Sequence, residues 1–88
     1  MPFSDYLAAI VSPMLRFPED MRVAETQDKM GVLLTLSVHK EDMGTVVGKA
    51  GATASAIRQL VRMVGLRGNA RVSLKINEPD GSPYKHNQ

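Results

Sequence analysis

"VVGKAGATASAIRQLV", residues 46–61, sets two glycines three apart, places a lysine between them and runs straight into a helical pattern. Glycine is poor inside a helix and poor inside a strand, so bare backbone here serves either a turn or a ligand. Beyond the second glycine, Ala54, Ile57, Leu60, Val61 and Val64 recur at i, i+3 and i+4 spacings. That stripe predicts an amphipathic helix from about Ala52 to Leu66. Arg58 and Arg62, four apart, share another of its faces. Upstream, "HKEDMGTVVG" predicts a short helix carrying Met43, Val46 and Val47. The glycine loop therefore joins two helices.

A GxxG pattern alone says little. With glycine near 7% of residues, a chain this long yields about 0.4 matches by chance. A second match, "GLRG" from Gly65 to Gly68, falls between a helix and a strand, where a cap and a turn explain both glycines. Placement makes the first match informative. The helix after it starts with unpaired N–H groups of partial positive charge. Gly48 and Gly51 remove the Cβ atoms that would hold a phosphate away, and Lys49 adds a full charge. Such a loop suits a nucleic-acid backbone. Of the apolar neighbours Val46, Val47, Ala54 and Ile57, those not taken up by the core line a shallow groove for bases.

Charge supports this reading. Residues 1–44 hold four basic and seven acidic side chains, whereas Thr45 to Asn77 holds six basic ones (Lys49, Arg58, Arg62, Arg67, Arg71, Lys75) and no acid. An acid-free stretch around a glycine loop suggests a surface facing a polyanion. A solvated helix face is the plainer account, and charge alone does not choose between them.

Outward from the loop, Ser4 reads as the N-cap of a first helix with Asp5 in its opening turn; Leu7, Ile10, Val11 and Met14 keep helical spacing. Pro13 bends or ends that helix, and Pro18 marks a turn. Met21 to Gln27 reads as a strand, "QDKMG" as a hairpin connection and Val32 to Val38 as the return strand. Leu33 breaks the alternation, as a residue that covers an edge or meets a partner would. Val72, Leu74 and Ile76 alternate with Ser73 and Lys75 in a third strand. The order is α-β-β-α-α-β in one α+β domain, with a three-stranded sheet covered by helices on one face and wet on the other. The domain is expected over residues 1–78 and a flexible tail over 79–88.

The 88 residues allow one small domain with a thin core. Cysteine is absent, which removes disulfides and thiol chemistry and fits a reducing cytoplasm. The N-terminus lacks a signal-peptide pattern, and no stretch is long enough to span a membrane. A cytoplasmic protein is expected.

"VVGKAGATASAIRQLV" resembles the signature of KH domains, in which a helix-GxxG-helix clamps a few nucleotides of single-stranded RNA. The element order resembles the type II, prokaryotic arrangement. With "PEDMRV" (18–23), "EDMGTVVGKAG" (41–51) and "TASAIRQLV" (53–61), the chain looks most like the KhpA family of small bacterial RNA-binding KH proteins. The resemblance covers nearly everything from Phe3 to Ile76. It implies a clamp of Gly48, Lys49, Ala50 and Gly51 and a groove at Val46, Val47 and Ile57; Arg58 and Arg62 are expected as flanking support, and Thr53 completes the expected RNA-binding set. It also implies self-association as a homodimer and a heteromer with a larger Jag-type KH protein. One departure matters: the family commonly carries an arginine after the second glycine, where this chain has Ala52, so one phosphate-reaching cation is missing.

Other classes fit less well. His39, beside Lys40, Glu41 and Asp42, could suggest a metal or acid–base site, but a polar turn before a helix explains the cluster. His86 lies in the tail. Neither a catalytic group, a metal site nor a cofactor is expected, and "GKAG" fails the Walker pattern, which needs a hydroxyl residue after the lysine. The predicted strands carry no aromatic residue, which disfavours a stacking platform. The expected function is non-catalytic binding of single-stranded RNA by a small bacterial regulator or chaperone. The rival is a KH scaffold used for protein–protein contacts, with Leu33, Met63 and Leu66 as candidate interface positions.

Overall fold

The computed structural model describes residues 2–77, so the expected tail over 79–88, Glu78 and His86 lie outside the described residues. Its elements run α1 (Phe3–Val11), β1 (Arg22–Asp28), β2 (Gly31–Ser37), α2 (Met43–Val47), α3 (Ala52–Arg67) and β3 (Val72–Asn77). Single 3-10 turns cover Ser12–Met14, Pro18–Asp20, Lys40–Asp42 and Lys49–Gly51. Helix α1 stops at Val11, two residues before Pro13, whose ring cannot continue an α-helix. Pro2 occupies its N-cap in place of Ser4. The Ser4 N–H instead donates to Glu25 Oε1 at 2.9 Å, tying α1 to β1.

The sheet order is β1-β2-β3. A two-residue turn joins β1 and β2 antiparallel, with Asp28 opposite Gly31, and the Asp28 carboxylate accepts the Met30 N–H at 2.8 Å. Strand β3 pairs with β2 in parallel, Val32 opposite Val72 and Leu36 opposite Ile76. A parallel neighbour requires a crossover, and residues 38–71 supply it with α2, the glycine loop and α3. Because β2 is central, Leu33 does not cover an edge; it lies on the open face, 38% exposed.

Alternation along the strands aims Val32, Leu34, Leu36, Val72, Leu74 and Ile76 at the helices, where they meet Leu7, Val11, Val46, Ala54, Ile57 and Val61. The buried line of α3 is Ala54, Ile57, Val61 and Gly65. Leu60, expected on that stripe, is 45% exposed, and Val64 is half-buried. Gly65 takes the inward place instead. A Cβ there would come 2.5 Å from Val72 Cγ2 and 2.9 Å from the Ala70 carbonyl, so glycine lets α3 lie close on β3. Gly65 is therefore a packing residue inside the helix and not its cap; Gly68 holds the C-cap.

Candidate nucleic-acid interface

Asp42 fixes the approach to the glycine loop. It is fully buried, and its two carboxylate oxygens accept the backbone N–H groups of Arg16, at 2.9 Å, and Phe17, at 3.0 Å. A carboxylate is buried only where such bonds replace its water. These bonds fasten the segment before β1 to the start of α2. An aspartate directly before an apolar helix was the available signal, but its long-range partners are invisible in sequence. His39, directly before the 3-10 turn, is its local cap. Its Nδ1 accepts the Glu41 N–H at 3.0 Å, and its ring stacks on Phe17 with centroids 4.1 Å apart.

Helix α2 ends at Gly48, whose N–H donates to the Gly44 carbonyl at 2.8 Å. Gly48 then adopts φ 77 and ψ 175, a conformation essentially reserved for glycine. A Cβ on Gly48 would also strike Thr53 Oγ1 and lie 2.8 Å from the Thr53 backbone nitrogen. Ala50 is left-handed at φ 55 despite carrying a side chain, and Gly51 follows at φ 77. The Gly51 N–H turns back to the Gly48 carbonyl at 3.2 Å, and the Ala52 N–H to that of Lys49. Among the described residues, the Lys49 and Ala50 N–H groups meet no backbone acceptor. Successive free N–H groups around left-handed residues form an anion-binding concavity.

The start of α3 adds to it. Its N-cap is Gly51, which has no side chain to cap with, and its first turn holds no acid. The positive end of a 16-residue helix is thus left without a carboxylate of its own. Lys49 and Ala50 are exposed at the tip, and Gly51 is buried beneath them.

The structure divides the remaining sequence-predicted residues. Thr53 is half-buried against Gly48 and supports the loop. Val47 is half-buried and reaches the surface. Val46 (0% exposed) and Ile57 (2%) do not line an open groove, because both sit on inward helix faces and belong to the core. Arg58 is half-buried on the flank of α3. Arg62 is one turn further from the loop, where it lines a recess with Leu66, Asn69 and Arg71.

A helix-GxxG-helix laid on a three-stranded sheet of order β1-β2-β3, in the sequence α-β-β-α-α-β, defines a KH domain of type II. Residues 4–76 match the family model described as "KhpA/KhpB, KH domain". The chain belongs to that family. It is 42% identical over 74 residues to the RNA-binding protein KhpA of Chlamydia pneumoniae, covering 84% of this chain and 95% of the relative. It is 40% identical over 72 residues to the RNA-binding protein KhpA of Bacillus subtilis strain 168, covering 82% and 89% respectively. The Listeria monocytogenes EGD-e protein of the same name is 39% identical over 74 residues, covering 84% and 97%. No solved structure matches the chain significantly.

Proposed function

We propose that this protein binds single-stranded RNA without catalysis, gripping the sugar–phosphate backbone with Gly48, Lys49, Ala50 and Gly51 and the start of α3. The observation that carries this reading is the loop itself. Three of its four residues have positive φ, two N–H groups at the tip meet no backbone acceptor among the described residues, and the first turn of the helix behind it brings no acid. The names of the relatives agree with it. Thr53 braces the loop, Val47 borders the base groove, and Arg58 and Arg62 add attraction along α3. A clamp this small meets few phosphates, so binding is modest, falls as salt rises and reads bases only weakly. The role that follows is a small bacterial RNA regulator or chaperone, working in the cytoplasm.

The test is a titration of short single-stranded RNAs of random sequence into labelled protein, followed by backbone amide shifts. A Lys49→Asp, Ala50→Asp double variant runs beside it. Shifts centred on residues 44–58, abolished in a still-folded variant, are expected. Equal shifts in both proteins, or none at the loop, would sink the reading.

Partners form a second reading with its own observation. Leu60, Met63 and Leu66, at i, i+3 and i+6 on α3, are 45%, 61% and 67% exposed. An apolar line on a solvent face marks a contact surface. A homodimer through this line fits, and a larger Jag-type KH protein presenting a similar helix is the heteromeric partner in keeping with a family named for KhpA and KhpB together. Sedimentation of the parent as a monomer at micromolar concentration, unchanged by Met63→Glu, would refute the homodimer.

A further inference from the structure

The acid-free stretch from Thr45 to Asn77 holds more cations than the glycine loop uses. Arg71 lies beyond the end of α3, directly before β3. Helices rise about 1.5 Å per residue, so Arg62 stands about 15 Å past the start of α3. There a recess of about 540 Å³ opens, lined by Arg62 and Leu66 from α3 and by Asn69, Arg71 and Ser73 from the turn and the start of β3. Gly65 lets α3 lie close on β3, which sets the two arginines on one recess.

The surroundings favour an anion. The lining holds no carboxylate, and the Asp28 carboxylate of the adjoining hairpin is taken by the Met30 N–H. The carbonyls that end α3 are also taken: that of Gly65 accepts the Gly68 and Ala70 N–H groups, and that of Leu66 accepts the Asn69 N–H. The Arg71 backbone is pinned, because its carbonyl accepts the Val32 N–H at 2.8 Å. Both arginines are exposed. Arg22 bonds the Glu19 and Met21 carbonyls, whereas neither Arg62 nor Arg71 makes such a bond among the described residues. Two guanidinium groups around one acid-free recess repel each other until an anion joins them, and guanidinium takes phosphate through paired N–H donors. The Asn69 amide and the Ser73 hydroxyl add neutral donors.

We propose that this recess is a second phosphate site, remote from the glycine loop: an RNA strand held at the loop continues along the Arg58 and Arg62 flank of α3 and sets a further phosphate between Arg62 and Arg71. The inference rests on the RNA-binding reading above and lengthens its footprint. Binding then depends on strand length, because a strand that fills only the loop does not reach Arg71.

The experiment measures binding of two single-stranded RNAs of random sequence across a salt series. One of about 4 nucleotides fills the loop clamp alone, and one of about 12 reaches further. Arg71→Gln is expected to bind the longer RNA about fivefold more weakly, and the short one as the parent does. Its log–log salt slope on the longer RNA should be shallower by about 0.7, the share of one phosphate on a single strand. The Arg62→Gln, Arg71→Gln variant should lose about tenfold or more on the longer RNA. Arg67→Gln removes the same charge from the α1 side of α3, where Arg67 lines a separate recess with Phe3 and Tyr6, and should bind both RNAs like the parent. In the parent, backbone amide shifts at residues 69–73 should appear with the longer RNA and not with the short one. Equal weakening by Arg67→Gln and Arg71→Gln overturns the inference, since loss of net charge would then explain both. A parent whose residues 69–73 do not shift with the longer RNA, while its loop does, overturns the inference and leaves the loop reading standing. A parent that binds neither RNA overturns both.

Discussion

Two glycine pairs of identical spacing stand at the two ends of α3. At its start, Gly48 and Gly51 flank an exposed lysine and an alanine held at positive φ, and the Lys49 and Ala50 N–H groups meet no backbone acceptor among the described residues. At its end, Gly65 is buried against Val72, while Gly68 closes the helix at φ −99, an ordinary conformation. There the Gly65 carbonyl accepts both the Gly68 N–H, at 2.9 Å, and the Ala70 N–H, at 2.8 Å. One pair leaves hydrogen-bonding capacity open and the other uses its own up. The pattern GxxG is therefore not a function. What distinguishes the two is whether the backbone they free is turned outward or closed on the protein.

Substitutions can break this contrast. The largest effect is expected from Gly65→Ala. Its new methyl would meet Val72 and the Ala70 carbonyl, and neither is the free end of a flexible side chain. Forcing a methyl into packed structure typically costs 1–3 kcal/mol, and the upper end of about 3 kcal/mol applies here. Urea unfolding measures it; a loss under about 1 kcal/mol would mean that α3 slides on β3 more freely than argued. RNA binding at the glycine loop by the fraction that stays folded should be unchanged, since this pair lies at the opposite end of α3 from that loop.

The reverse substitution in the loop should act oppositely. Ala50→Gly removes the penalty of a left-handed alanine, about 1–2 kcal/mol, and returns part of it through a more flexible unfolded chain. A net stabilisation of about 0.5–1 kcal/mol is expected in the same unfolding assay, with RNA binding kept. A loss of stability would mean that Ala50 packs on something that its φ does not reveal. The smallest effect belongs to Gly68→Ala. Its Cβ would lie 3.5 Å from Phe3 Cζ, ordinary contact, so stability should stay within about 0.5 kcal/mol of the parent.

Much of this molecule was legible before folding. The alternation of Val32, Leu34 and Leu36 and of Val72, Leu74 and Ile76 identified two strands and their inward faces. The glycine loop between two helical patterns stands where the pattern put it, between α2 and α3. Pro13 marked the end of α1 within two residues. The readings that changed were those that depend on a neighbour distant in sequence. Ser4 lost its cap role because Pro2 starts the helix and Glu25 receives the Ser4 N–H. Leu60 fitted the helical stripe, but the inward face of α3 is centred on Val61 and Gly65, where β3 presses closest. Val46 and Ile57, expected to line the groove with Val47, are buried in the core.

The sequence by itself determined the order of elements and the place where backbone had to be bare, because periodicity, proline and glycine act over a few residues; the family came from the resemblance of its motifs. Tertiary structure alone decided which glycines face outward, what anchors Asp42 and which apolar residues stay in water. Those outcomes depend on segments such as residues 16 and 42, or 65 and 72, meeting across the fold, and no local pattern encodes the distance between them.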